Sequence, residues 1–246
     1  MPQYFSDLNT YKTELEKLGA QDVKFNTDDS EKGKQTTTIS WTTMDGENLE
    51  MDIIKYTFPE LKQMHPKSCM AACLTMQAFR FWDNSMALGT STLFRNIISG
   101  MSMRESMEKA LMDSQAPESY QIGLRGSDAI DLFASSCSKY SCTDESHPIY
   151  YGNGNYPDSR FEEITYLEMS KNNNTVLFTF QNDDYSYSHT MNVSMAVGFS
   201  INGKNCKEHD LLLWDTDFNG NNVGGIKNFN DQAEKFNFKF GIIPIK

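Results

Sequence analysis

The chain has 246 residues, of which 39% are hydrophobic, and its 22 basic and 33 acidic side chains give a formal net charge of −11. This length and apolar content are sufficient for one sizeable core, so we expect one domain. The acidic balance argues against nucleic acid and anionic membrane surfaces as partners, because both select basic patches. No apolar stretch reaches the length of a bilayer span, so no integral membrane segment is expected.

The pattern of cysteines and the N-terminal residues indicate in which cellular compartment the protein is expected. The five cysteines are an odd number and are spread unevenly, at Cys69, Cys73, Cys137, Cys142 and Cys206. This pattern does not resemble the disulfide framework of small secreted domains, so we expect reduced thiols in a cytosol-type environment. The N-terminus lacks a basic start followed by an apolar core, and no classical secretory signal is expected.

Residues 1–58 are expected to form a helix and a hairpin that are accessory to the same domain. Residues 1–19 have the pattern of a polar amphipathic helix that stops at Gly19. A polar loop is predicted over 26–34. The segments 36–43 and 49–58 then have the pattern of two strands joined around Asp45-Gly46.

Residues 59–246 are expected to contain a helical half, to about residue 150, and a sheet half after it. Helices are predicted at 68–82, 90–100, 102–114 and 127–139, and a loop over 147–157 divides the halves. A helix at 160–170 and strands at 175–181, 189–199, 211–215 and 236–245 follow. Helices first and a mostly antiparallel sheet afterwards indicate an α+β fold.

The segment Gln63–Cys69 carries the strongest chemical signal. A cysteine at the first turn of a helix offers its own backbone N–H to a substrate oxygen, and the helix dipole lowers its pKa. A glutamine side chain from the preceding loop can supply a second donor for the negative charge that develops on that oxygen. We therefore predict Cys69 as a nucleophile and Gln63 as an oxyanion donor.

A thiol nucleophile also needs a base and a residue that orients the base. His189 begins an apolar strand in which His189, Met191, Val193, Met195 and Val197 are predicted to share one face. A polar turn at 202–205 leads into a second strand that ends near Asp215. An antiparallel pair would make His189 and Asp215 cross-strand neighbours. Asp217 lies on the same face as Asp215 and stays open as the alternative orienting residue.

The order Cys69, His189, Asp215 resembles that of the papain-like cysteine peptidases. In that family a glutamine precedes the nucleophile by six residues, and Ser-Cys-(aromatic)-Ala opens the central helix. Here Met70 takes the aromatic position. The segment from Trp214 to Gly220 is similar to the aromatic-Asp-x-Asn-Phe-Gly signature of bacterial type III effector cysteine proteases, with Asp217 at the Asn position.

The resemblance implies a papain-like catalytic domain over 59–246, with a nucleophile helix packed on an antiparallel sheet. It implies a cysteine peptidase that uses a Cys69-His189-Asp215 triad with Gln63, needs no cofactor and acts on a protein substrate. For an effector, that substrate is a host protein and the route is non-classical bacterial secretion into the host cytoplasm. Deamidases, transglutaminases and acyltransferases use the same triad.

Two alternatives belong to other classes. The chain could be a non-catalytic binding module that keeps a peptidase-like fold. It could instead hold a structural metal through Cys137, Cys142 and His147 together with Cys206 and His209, although this spacing matches no zinc-ribbon or zinc-finger pattern.

Overall fold

The computed structural model describes residues 8–31, 33–57, 61–80, 103–114, 117, 121, 150–152, 159–181, 188–206, 209–218, 224–235 and 239–245. Over these residues the protein is α+β, and the strand pairings are antiparallel. The predicted helices at 90–100 and 127–139 lie outside the described residues. Of the predicted loop at 147–157 only 150–152 are described, and they form a strand, so the loop prediction is wrong there. None of the described helices has the length and apolar character needed to cross a bilayer.

The N-terminal segment forms one helix and three strands: α1 (Leu8–Lys17), β1 (Gln21–Asp28), β2 (Lys34–Thr42) and β3 (Asn48–Tyr56). The helix ends before Gly19, whose φ of +90° is a left-handed conformation that favours glycine. The predicted hairpin of β2 and β3 is confirmed. The predicted loop over 26–34 is wrong in its first part, because β1 continues to Asp28. A largely exposed strand such as β1 needs no strict apolar alternation, so its sequence looks like a loop.

Among the described residues, four further helices are α2 (Cys69–Arg80), α3 (Met103–Ser114), α4 (Ser159–Ser170) and α5 (Phe229–Lys235). The first three agree with the predicted helices to within about two residues at the described ends, which is the usual uncertainty of helix boundaries. The short helix α5 was not predicted. Helix α2 is buried over most of its first two turns, as its apolar sequence predicted.

The other strands are β4 (Tyr150–Gly152), β5 (Thr175–Gln181), β6 (Ser188–Ile201), β7 (Lys204–Asn205), β8 (Asp210–Asp215), β9 (Gly225–Asn228) and β10 (Lys239–Ile245). In the described part of the chain the sheet runs β1-β2-β3-β6-β5-β10-β4, with β7 and β8 also paired to β6 and β9 paired to β8. The strand β6 therefore joins the N-terminal hairpin to the C-terminal strands. The predicted N-terminal accessory segment and the predicted sheet half share this one sheet.

A β-bulge divides β6 into two parts that face opposite ways. The register with β8 shifts between Val193 and Met195. Before the bulge Met191 and Val193 belong to the core cluster that also contains Tyr166. After it, Val197 belongs to a second core, which is built around Tyr11 of α1. The predicted single face from His189 to Val197 is therefore wrong in its second half, because one extra residue reverses the alternation of side chains.

The packing of α4 on β6 yields a prediction about stability. A Cβ added to Gly198 would lie 2.3 Å from Cζ of Tyr166, well inside van der Waals contact. We expect Gly198→Ala to lower the free energy of unfolding by about 1–3 kcal/mol, the usual cost of overpacking. Urea unfolding measures this cost. In a Tyr166→Ala background the cost should fall because the clashing ring is gone. An equal cost in both backgrounds would contradict this account of the packing.

Candidate active site

Cys69 is the first residue of α2. The backbone N–H of Ala72 donates to the carbonyl of Ser68 at 2.8 Å, so helical hydrogen bonding begins one residue before the cysteine. The N–H groups of the first helical turn have no partner inside their own helix, and they make the helix N-terminus electropositive. Cys69 keeps part of its surface exposed. The residue is therefore partly accessible, and its thiol lies where a negative charge is stabilised.

His189 and Asp215 are joined by a buried hydrogen bond. The distance from His189 Nε2 to Asp215 Oδ1 is 2.8 Å, and both side chains are almost fully buried. The register pairs Asn192 with Trp214, so Asp215 lies diagonally across from His189 and not directly opposite it. Asp217 contributes through its backbone N–H, which donates to Asp215 Oδ1 at 2.9 Å. The carboxylate in contact with the imidazole is thus that of Asp215.

The Cys69 thiol is hydrogen-bonded to His189, and each group changes the pKa of the other. Burial by itself would raise the pKa of Cys69, but the hydrogen bond and charge of His189 act in the opposite direction. Main-chain hydrogen bonds at Thr190 and Met70 act in the same direction as His189, and the pKa of Cys69 lies below its ordinary value.

The pKa of His189 moves the opposite way. Burial by itself would lower it, but the hydrogen bond to Asp215, the hydrogen bond to Cys69 and their charges raise the pKa of His189 to about 10. A lowered thiol pKa and a raised imidazole pKa favour a thiolate paired with an imidazolium at neutral pH. Because Nε2 faces Asp215, Nδ1 is the ring nitrogen left to face the sulfur.

Cys73 lies one helical turn after Cys69 and has a different environment. Its Sγ donates to the carbonyl of Thr190 at 3.3 Å, and the residue is fully buried. Burial, followed by the charges of Cys69 and Asp215, raises the pKa of Cys73 well above its ordinary value. Cys73 is therefore a packed thiol, as its small apolar neighbours predicted.

Gln63 is buried beside the end of β8. Its backbone N–H donates to the carbonyl of Thr216 at 2.9 Å. Its Nε2 donates to the carbonyl of His65 at 3.1 Å, and its Oε1 accepts from Thr216 Oγ1 at 3.0 Å. A carbonyl only accepts, so the contact with His65 fixes which end of the amide is nitrogen. One N–H of Nε2 donates to the carbonyl of His65, and the same nitrogen carries a second N–H.

Three polar residues that the sequence patterns did not single out help to build the site: Thr216, Asn192 and Glu108. Thr216 follows Asp215 directly and binds Gln63 through both its side chain and its backbone. Asn192 is fully buried in an apolar strand, and a polar residue at such a position was a sequence feature by which it could have been found. Glu108 precedes Leu111 and Met112 by three and four residues, so it shares their apolar helix face.

Asn192 joins α2 to the strand that carries His189. Its Nδ2 lies 3.4 Å from the carbonyl of Cys73 and 3.4 Å from Sδ of Met76. Its Oδ1 accepts from Nε2 of Gln77 at 2.6 Å. All of these contacts are buried, where polar groups must find partners. They fix α2 against β6 and so determine how close Cys69 lies to His189.

The alternative metal site is only partly within the described residues. Cys137, Cys142 and His147 lie outside them. The ring of His209 packs against Tyr166, with centroids 4.6 Å apart. Within the described ranges no three His, Cys, Asp or Glu side chains are grouped so that they could hold a metal ion.

Comparison with known proteins identifies no relative of this chain: no protein-family model, no curated protein and no solved structure matches it.

The pKa shifts predict how the reactivity of Cys69 depends on pH. Alkylation by iodoacetamide requires the thiolate, and an ordinary thiol reaches half of its maximal rate near pH ~8.5. We expect the midpoint for Cys69 to lie below that pH, and the rate to change again near pH 10, where His189 loses its proton. In His189→Ala the pH midpoint for Cys69 should move upward, because the thiol stays buried and the positive charge of the imidazole is gone.

Peptide mass spectrometry after timed alkylation measures each cysteine separately. Cys206 is the internal control, since it is partly exposed and belongs to the same chain. A Cys69 midpoint equal to that of Cys206 would contradict the ion pair.

A pair of matched substitutions separates the two candidate orienting residues. Asp215→Asn removes the negative charge beside His189, so the pKa of His189 should fall and the Cys69 thiolate should lose stabilisation. We therefore expect the pH midpoint of Cys69 alkylation to move upward in Asp215→Asn, by about one pH unit for each unit by which the pKa of Cys69 rises. Asp217→Asn keeps the backbone N–H that binds Asp215 and should leave the midpoint within about half a pH unit of wild type. A larger effect of Asp217→Asn than of Asp215→Asn would assign the orienting role to Asp217.

Proposed function

We propose that the protein is a cysteine peptidase in which Cys69 is the nucleophile, His189 the base and Asp215 the orienting residue. The observation that carries this proposal is the continuous set of hydrogen bonds from Asp215 through His189 to Cys69, a residue that is partly exposed and lies at a helix N-terminus. Structural cysteines are usually inert and fully buried, as Cys73 is. A thiol with a lowered pKa beside a protonated base is suited to attack an acyl carbon.

The proposed reaction begins with the thiolate of Cys69 adding to the carbonyl carbon of a peptide bond. The substrate oxygen then carries the negative charge, and the backbone N–H of Cys69 and the second N–H of Gln63 Nε2 would hold it. As the C–N bond breaks, His189 gives its Nδ1 proton to the leaving amine and a thioester remains on Cys69. Water, deprotonated by His189, hydrolyses the thioester and restores the thiol.

The proposed substrate is a protein, and the resemblance to effector proteases favours a host protein reached by non-classical bacterial secretion. The three described cysteines form no disulfide among themselves, which agrees with a reducing compartment such as the host cytoplasm. The same thioester also serves a deamidase, a transglutaminase or an acyltransferase. In those enzymes the acyl donor is a side-chain amide or another acyl group, and the acceptor decides the product.

A comparison of wild type and Cys69→Ala in a host-cell lysate tests this proposal. Peptidase activity predicts new protein N-termini that appear with wild type and are absent with Cys69→Ala and His189→Ala, detected by terminal labelling and mass spectrometry. Conversion of glutamine into glutamate, without new termini, would assign the deamidase reaction instead. If no product depends on Cys69 and its alkylation is as slow as that of Cys206, the protein is a binding module and the proposal is wrong.

A further inference from the structure

Glu108 is a buried carboxyl group next to the segment that leads into the nucleophile helix. It lies on α3, which packs against α2, and only 1% of its surface is exposed. Charged side chains are seldom buried to this degree unless they have a specific set of partners. Glu108 is not one of the residues of the proposed triad.

The partners of Glu108 lie at both ends of one short loop, Met64–Ser68. Its Oε1 accepts from the backbone N–H of Met64 at 2.7 Å and from the hydroxyl of Ser68 at 2.5 Å. Met64 directly follows Gln63, and Ser68 directly precedes Cys69. One oxygen atom of Glu108 therefore binds the chain beside each of the two groups that would hold the substrate oxygen.

The other carboxyl oxygen of Glu108 makes no comparable contact. Oε2 is buried, and among the described residues it has no hydrogen-bond partner. Burial raises the pKa of Glu108, while the hydrogen bonds from Ser68 and Met64 act in the opposite direction. The contacts that hold the loop use Oε1 as an acceptor, and a neutral amide oxygen at the same place could accept the same two hydrogen bonds.

The loop is held from its other side by Thr216, the residue that follows β8. The backbone N–H and Oε1 of Gln63 bind Thr216, while Nε2 of Gln63 and the N–H of Ser68 bind the carbonyl of His65. The loop thus has one anchor beside Asp215 and a second anchor at Glu108. Without the second anchor, Gln63 and the N–H of Cys69 would no longer keep a fixed distance from each other, although the contact between Cys69 and His189 would remain.

We propose that Glu108 is a positioning residue that holds the loop Met64–Ser68 in the shape in which Gln63 and the Cys69 N–H face one substrate oxygen. The inference rests on the proposed function, because it assigns Gln63 to the oxyanion site. It predicts that loss of Glu108 impairs reactions that pass through an oxyanion and spares reactions that need only the thiolate.

Two reagents distinguish these reactions. Iodoacetamide is attacked at its methylene carbon, with the C–S bond forming as iodide leaves, and no oxyanion develops. In p-nitrophenyl acetate the thiolate adds to the carbonyl and forms an oxyanion. That oxyanion collapses, expels p-nitrophenolate and leaves an acetyl thioester on Cys69. The ratio of the acylation rate to the alkylation rate at Cys69, with Cys69→Ala as the blank, reports the oxyanion site separately from the ion pair.

For Glu108→Ala we expect this ratio to fall by about tenfold or more, with the alkylation rate within about twofold of wild type. Glu108→Gln keeps the accepting oxygen and should retain the ratio within about threefold. Gln63→Ala should lower the ratio, and adding Glu108→Ala to it should lower it little further, since both act on one site. Should Glu108→Ala fail to fold, Ser68→Ala removes one of the two bonds and should lower the ratio by about threefold or more.

An unchanged ratio in Glu108→Ala, or in Ser68→Ala where that variant replaces it, would overturn the inference. An equal fall of both rates would also overturn it, because it would show a general structural role. Failure of the proposed function is seen separately, as slow alkylation of Cys69 in the wild-type protein, equal to that of Cys206.

Discussion

The hydrogen bond between His189 and Asp215 is the contact on which the proposed chemistry depends. It lies where the start of β6 meets the end of β8, and both partners are buried. A buried imidazole without a counter-charge would be neutral, because burial opposes the charged form. The carboxylate of Asp215 reverses this tendency, because its charge favours the protonated ring. It is hydrogen-bonded to Nε2, so Nδ1 is left to face Cys69. A weak interaction here would leave the thiol of Cys69 in an environment that raises its pKa.

The second constraint is the docking of α2 on β6 through buried polar contacts. Asn192 and Thr190 of the strand bind the helix at Cys73 and Gln77, one and two turns after Cys69. Such contacts have directions and lengths, whereas apolar packing alone tolerates small shifts. The same strand carries His189. The distance between Cys69 and His189 is therefore fixed within a unit of one helix and one strand, although 120 residues of chain separate them.

Local patterns in the sequence were sufficient for the helices α1 to α4, the hairpin of β2 and β3, and the meeting of His189 with Asp215. Each of these depends on period, turn residues or two adjacent strands. The bulge after Val193 and the position of β6 between β3 and β5 were not predictable, because they result from packing on both faces of the sheet. Glu108 and Asn192 were missed for a related reason. Their partners lie about 40 and 120 residues away, and no local spacing reveals such contacts.

The central claim is that His189 carries a proton at neutral pH because it faces both Asp215 and the Cys69 thiolate. Nitrogen-15 NMR of the imidazole, recorded as a function of pH on the protein labelled at histidine, tests this most directly. The account predicts that both ring nitrogens of His189 are protonated at pH 7.5 and that the ring titrates near pH 10. It also predicts a lower pKa for His189 in Cys69→Ala. A neutral ring at pH 7.5, with a pKa at or below the ordinary value of about 6.5, would contradict the account.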